Sequence, residues 1–235
     1  MEEQNIVLDK YGSHFSELIS YSNKELYNVI SNGFYSYLPI DMARYKKQYL
    51  YERIIFNYQP NLSLQKNKKF KRESKLAVFY TTNEKLSIIE ANNLKKKYGA
   101  TLFPDPDLKD FKLIRKYTMV HIISHHKSGN LIFKNKNIPL KEILINYTSS
   151  NTLSSFNICN SFSKSDLQEN YYAYSKSLAN HILKNGVNEV ITHSWELSQK
   201  AGLILLNDIY EKNKKLKFKN FKPSEYGGYM FWRSL

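Results

Sequence analysis

The ten residues Val120–Gly129, VHIISHHKSG, hold three of the chain's six histidines, at positions 121, 125 and 126. The only cysteine, Cys159, closes a second apolar run, LSSFNIC. A thiol with an ordinary pKa of about 8.5 is mostly protonated at neutral pH, and an adjacent imidazole removes or shares that proton to give a thiolate nucleophile. The same imidazole can later protonate a leaving amine. His125 and Cys159 have the residue types for this chemistry, and each stands at the carboxyl end of a stretch that reads as a strand. Blander uses stay open at this level, since a lone cysteine is often small core filler and paired histidines are often ordinary loop residues. A metal site finds little support. On a strand His121 and His125 would face one side about 13 Å apart, too far for one ion. No H-E-x-x-H or paired-cysteine spacing occurs either.

The elements that must position these residues begin at Lys75. LAVFYTT (Leu76–Thr82) predicts a buried strand, and Ser87–Tyr98 a helix stopped by Gly99. Thr101–Phe103 reads as a short strand, Pro104–Lys116 as a loop plus helix, and Thr118–Ser124 as a strand. A hairpin-like segment, Asn130–Asn137, and a helix at Pro139–Asn146 follow, then a strand at Leu153–Cys159. Asp166–Asn185 predicts a helix closed by Gly186, Val187–Trp195 a strand, and Glu196–Lys214 a helix. Apolar strands alternating with helices imply an α/β fold, with a mainly parallel central sheet covered by helices on both faces. In such sheets reactive groups gather at the carboxyl ends of the strands, so neighbouring strands would bring His125 and Cys159 to one crevice. Residues 1–60 carry helical patterns at Ser16–Tyr37 and Asp41–Tyr58, separated by Pro39 and ended by Pro60. The expected organisation is an N-terminal helical region (1–60), a basic linker (61–74) and an α/β domain (75–235).

At 235 residues the chain can bury a sizeable core. No run of about 18 apolar residues is present, which argues against a membrane span. The acidic, polar start MEEQNIVLDK argues against a secretory signal. One cysteine excludes internal disulfides and suits a reducing compartment, so a cytoplasmic location is expected. The net charge is +14, yet only five of the 35 basic residues are arginine, and Lys, Asn, Ile and Tyr abound together. That composition follows from an AT-rich genome, so the charge alone does not argue for nucleic acid. The clusters Lys66–Lys75, Lys95–Lys97 and Lys212–Lys222 suit an acidic partner, with nucleic acid only an indirect option.

The order of the motifs resembles the CHAT domain, the bacterial branch of the caspase-like cysteine peptidases related to separase and gingipains. Ile89-Glu90-Ala91 followed by Leu94 resembles that family's Glu-Ala helix, and His121-Ile-Ile-Ser-His125 its HIxxHG strand. Cys159-Asn160-Ser161 resembles its CxS nucleophile turn. Leu178 to Gly186 and then Glu189 to Trp195 resemble its ALLxxGxxxVVxxxW segment, and Gly227–Trp232 fits a closing strand. The match spans about Lys75 to Leu235. It implies a caspase-like fold and a cysteine endopeptidase without cofactor or metal, with Cys159 as nucleophile and His125 as acid and base. The backbone amides of Cys159 and His126 would hold the oxyanion. Trp195 would form a wall of the substrate pocket, with Glu196 or Asp166 as a negative floor. A protein substrate and a regulatory or sensor protein, in bacterial defence, are the implied partners. Two departures stand out. His126 replaces the glycine that normally follows the catalytic histidine, and no acidic residue precedes the nucleophile. A catalytically inactive caspase-like scaffold or a basic nucleic-acid-binding α/β protein are the competing expectations.

Overall fold

Five consecutive buried residues, Leu76–Tyr80, form strand β5, and only a strand covered on both faces accommodates such a run. Alternation along it feeds two cores. Leu76, Val78 and Tyr80 pack with Ala91, Leu94, Ala100 and Ile123. Ala77 and Phe79 belong to a larger cluster that includes Phe111, Phe133, Phe156, Leu178 and Ile182. The computed structural model describes residues 26–30, 44–46, 48–50, 55–59, 75–160, 171–193 and 229–233.

Those residues form a ten-stranded, mostly parallel sheet with helices on both sides. Its strands are β1 (Leu26–Ile30), β4 (Ile55–Gln59), β5, β6 (Thr101–Pro104), β7 (Met119–Lys127), β8 (Asn130–Phe133), β9 (Lys136–Pro139), β10 (Leu153–Asn160), β11 (Glu189–His193) and β12 (Tyr229–Arg233). The main path runs β1-β4-β12-β11-β10-β7-β5-β6, and β8 and β9 continue from β7 as hairpins. Along that path only the β11–β12 pair is antiparallel, so β1, β4 and β12 run opposite to the other five strands. A separate two-stranded ribbon joins β2 (Arg44–Tyr45) to β3 (Gln48–Tyr49).

Helix α1 (Lys85–Tyr98) lies over the face of Leu76 and Val78, and Gly99 ends it at φ 65°, its N–H donating to the Lys95 carbonyl over 2.9 Å. On the other face lie α2 (Leu108–Phe111) with the 3₁₀ turn Lys112–Lys116, α3 (Leu140–Leu144) and α4 (Tyr171–Lys184). Phe79 stacks on Phe103 and Phe111 at centroid distances of 4.6 and 4.7 Å, fastening β6 and α2 to β5.

Two sequence expectations change here. The described parts of the expected helices Ser16–Tyr37 and Asp41–Tyr58 contain no α-helix and are mostly strand, β1 to β4, with a turn at Lys46 and a 3₁₀ residue at Leu50. Leu-Tyr-Asn-Val-Ile and Ile-Phe-Asn-Tyr-Gln are short, β-branched and aromatic, and at five residues helical and strand periods cannot be told apart. Through β12 these strands also belong to the same sheet as the α/β region, so the sheet crosses the boundary expected at residues 61–74. The second change is at β7, which continues past Ser124 to Lys127. Ser128 and Gly129, at φ 49° and 78°, form a two-residue turn that folds β8 back onto His125–Lys127 and prolongs the ladder. The linker 61–74 and the helix expected at 196–214 lie outside the described residues.

Candidate functional site

The chain order of the strands reverses between β5 and β7. β6 lies outside β5 on one side, while β7, β10 and β11 follow on the other. At such a switch point connections diverge and leave a crevice at the carboxyl ends of the strands. Here the β8–β9 hairpin occupies the lane beyond β5 by pairing with the end of β7. The chain leaving β5 turns instead onto the α1 face.

That connector, Thr81–Glu84, is held at several points. The Thr81 N–H donates to the Ile123 carbonyl over 3.1 Å, and the Lys134 N–H donates to Thr81 Oγ1 over 3.1 Å. Asp105, in a left-handed conformation at φ 42°, accepts the Thr82 N–H at 3.0 Å and also the Thr82 hydroxyl. The connector ends at Glu84, the N-cap of α1. Its carboxylate makes no cap hydrogen bond and instead pairs with His125 Nε2. An N-cap carboxylate is normally used on the helix's own amides. Its diversion to an imidazole marks the spot. The two side chains are 25% and 23% exposed, so solvent and ligands reach them. Nothing in the sequence spacing singled out Glu84; the visible hint was an acidic residue just ahead of a helix start.

Cys159 occupies the ladder position beside His125 in the parallel pair β10–β7, with Asn160 beside His126. Ladder partners in neighbouring strands sit about 4.8 Å apart. The structure therefore brings the two expected catalytic positions together. Their register is pinned at the far end of the strands. The Asn151 side chain donates to the Ile114 and Tyr117 carbonyls at 2.9 and 2.7 Å, and the Thr152 N–H donates to the Thr118 carbonyl at 2.6 Å. A slip of one residue would move every β10 side chain to the opposite face.

His121 lies four residues deeper on β7 and is fully buried. Its Nδ1 is 2.5 Å from Ser155 Oγ and its Nε2 is 2.7 Å from Glu90 Oε1. The Asn157 amide donates to Glu90 Oε2 at 2.7 Å. Glu90, His121, Ser155 and Asn157 are each at most 2% exposed, so substrate does not reach them. His121 is thus a hydrogen-bonded core residue. Its partners were not foreseen, although α1 shows an inversion that signals them, since the helix buries Glu90 and leaves Ile89 exposed. A buried carboxylate requires donors.

His126 is buried on the opposite side of β7 from His125, as strand alternation demands. Burial pushes its imidazole down to about 4, which keeps it neutral near pH 7. Its backbone lies inside the sheet, between Asn160 of β10 and Leu131 of β8, two residues before the turn. Asp166, Trp195 and Glu196, the expected pocket residues, lie outside the described residues, as does Ser161. Among the described residues no group of three or more His, Cys, Asp or Glu side chains is placed to hold a metal ion, and no helix is long and apolar enough to cross a membrane.

Fold and rim together define an α/β protein with a mostly parallel sheet and a polar cluster at its switch point. Set against known protein families and curated proteins, the sequence matches none of them.

Proposed function

We propose that the chain is a caspase-like cysteine endopeptidase of the CHAT type, with Cys159 as nucleophile, His125 as acid and base, and Glu84 orienting His125. The observation that carries this reading is the ladder pairing of Cys159 with His125, whose ring is held from its far nitrogen by Glu84. Glu84 engages Nε2, so proton exchange with the thiol falls to Nδ1. His125 takes the Cys159 proton as the sulfur attacks a scissile carbonyl, then delivers it to the leaving amine. Water hydrolyses the thioester and restores the thiol. The carboxylate selects the ring tautomer and holds the ring plane, the service a third residue renders in hydrolytic triads. The substrate is a protein, and the resemblance adds a regulatory or sensor partner in a cytoplasmic, bacterial-defence setting.

One observation favours a second reading, a caspase-like scaffold without peptidase activity. The His126 backbone sits within the ladder on both sides, where the resemblance calls for a glycine turn offering its amide to the oxyanion. Incubation with a peptide bearing a thiol-reactive electrophile separates the two. The peptidase reading expects covalent labelling of Cys159 that disappears in His125→Ala. Labelling no faster than that of a free thiol in the unfolded chain would leave only the scaffold.

A further inference from the structure

Helix α1 carries two carboxylates that reach the sheet, Glu84 at its start and Glu90 six residues on. Glu84 pairs with His125 of β7 and also accepts the Ser87 hydroxyl of its own helix at 3.4 Å. Glu90 touches both strands of the candidate site, with one oxygen on His121 of β7 and the other on Asn157 of β10. His121 stands four residues before His125, and Asn157 two residues before Cys159. We propose that Glu90 is a positioning residue for the Cys159–His125 pair, its buried carboxylate bridging β7 and β10 beneath the rim so that the two reacting positions stay side by side. The inference rests on the peptidase reading above.

The donors and acceptors of the cluster define what the bridge requires. An ionised carboxylate only accepts, so His121 Nε2–H and Asn157 Nδ2–H both donate to it. With a neutral ring, His121 Nδ1 then accepts the Ser155 hydroxyl proton. Ser155 is itself the ladder partner of His121, so the imidazole already spans β7 and β10 once, and Glu90 spans them a second time from above. Two cross-links at successive positions resist both slippage and separation of the strands. Because Glu84 and Glu90 share one helix, the bridge also fixes the height at which Glu84 meets His125.

This arrangement makes a specific forecast for E90Q. A carboxamide has one acceptor and one donor end. It can still bridge both strands if its oxygen accepts from Asn157 and its NH₂ donates to His121. That requires His121 to move its proton from Nε2 to Nδ1, where Ser155 Oγ accepts it. E90A offers no bridge at all.

The test uses the full chain, whose single cysteine makes alkylation unambiguous. Iodoacetamide modification of Cys159 is followed by mass at pH 6.5, and imidazole tautomers are read from long-range proton–nitrogen NMR spectra. E90A is expected to slow alkylation at least about tenfold, because a thiol without a well-placed imidazole reacts as an ordinary one. E90Q should stay within about threefold of wild type and show His121 protonated on Nδ1. Ser154→Ala provides the structural control, since Ser154 is buried on the other side of β10, where its hydroxyl donates to Tyr147 over 2.7 Å. It should leave alkylation unchanged. A folded E90A protein that alkylates at the wild-type rate overturns the inference. If E90A does not fold, an E90Q protein that alkylates more than about tenfold slower than wild type, although its carboxamide can still bridge, overturns it instead. Wild-type alkylation indifferent to His125→Ala would remove the peptidase reading and this inference with it, whereas loss of only the Glu90 effect would leave that reading standing.

Discussion

Replacing His126 with leucine tests whether the sheet interior next to the candidate site is as dry as the structure shows. The imidazole is 3% exposed, and burial holds it at about 4, against 6.5 for an unperturbed histidine. The lowered value means that the folded state refuses a proton which the unfolded chain accepts below pH 6.5. Stability must then fall as pH drops from 6.5 toward 4, and level off below that. From these two values His126 costs the folded state about 2 kcal/mol at pH 5 and about 3 kcal/mol at pH 4, relative to pH 8. Urea unfolding of wild type and His126→Leu at several pH values isolates this term, because every other titrating group cancels in the difference. The variant should gain on wild type by about 2 kcal/mol between pH 7 and pH 5. A difference that stays flat across this range would refute the reasoning, because it would mean that water or a proton already reaches the ring.

Other perturbations follow from the same geometry. Glu84→Ala should slow the labelling of Cys159 by an electrophilic peptide about tenfold or more. Because the pair is partly exposed, it should cost under about 1 kcal/mol of stability; equal losses of labelling and stability would argue for a structural salt bridge alone. Ser155→Ala removes one hydrogen-bonding partner from the buried His121 ring and should cost about 1–3 kcal/mol by thermal or urea unfolding. Gly186 ends α4 at φ 92°, and a Cβ there would lie 2.8 Å from Ser149 Cβ. Gly186→Ala should therefore destabilise by about 2 kcal/mol or more, with unaltered Cys159 reactivity in the folded fraction.

Much of the α/β region was legible because each of its elements carries its own signal. β5 is apolar throughout, α1 stops at a glycine in the left-handed region, and β10 begins and ends within a residue of its expected span. β1 and β4 were not legible as strands because five residues are too few to show a period, and the strand that joins β4 to the rest of the sheet, β12, lies more than 150 residues away. The end of β7 was misplaced for a related reason. Its last residues are strand only because β8 returns to pair with them, and the Ser128–Gly129 turn that permits this is a weak signal when read alone.

The sequence by itself determined which residues could do chemistry. One thiol and a histidine-rich strand end are properties of composition and local pattern, and the alternation of apolar strands with helices places both at the same edge of a parallel sheet. Tertiary structure decided which groups meet. That β7 and β10 are neighbours in this register, that Glu84 abandons its cap for His125, and that Glu90 binds both strands are long-range facts. They depend on chain crossovers and on the desolvation of a carboxylate, whose cost is offset only where donors from separate elements converge. No local window of residues contains that information, because the donors become neighbours only when the sheet closes.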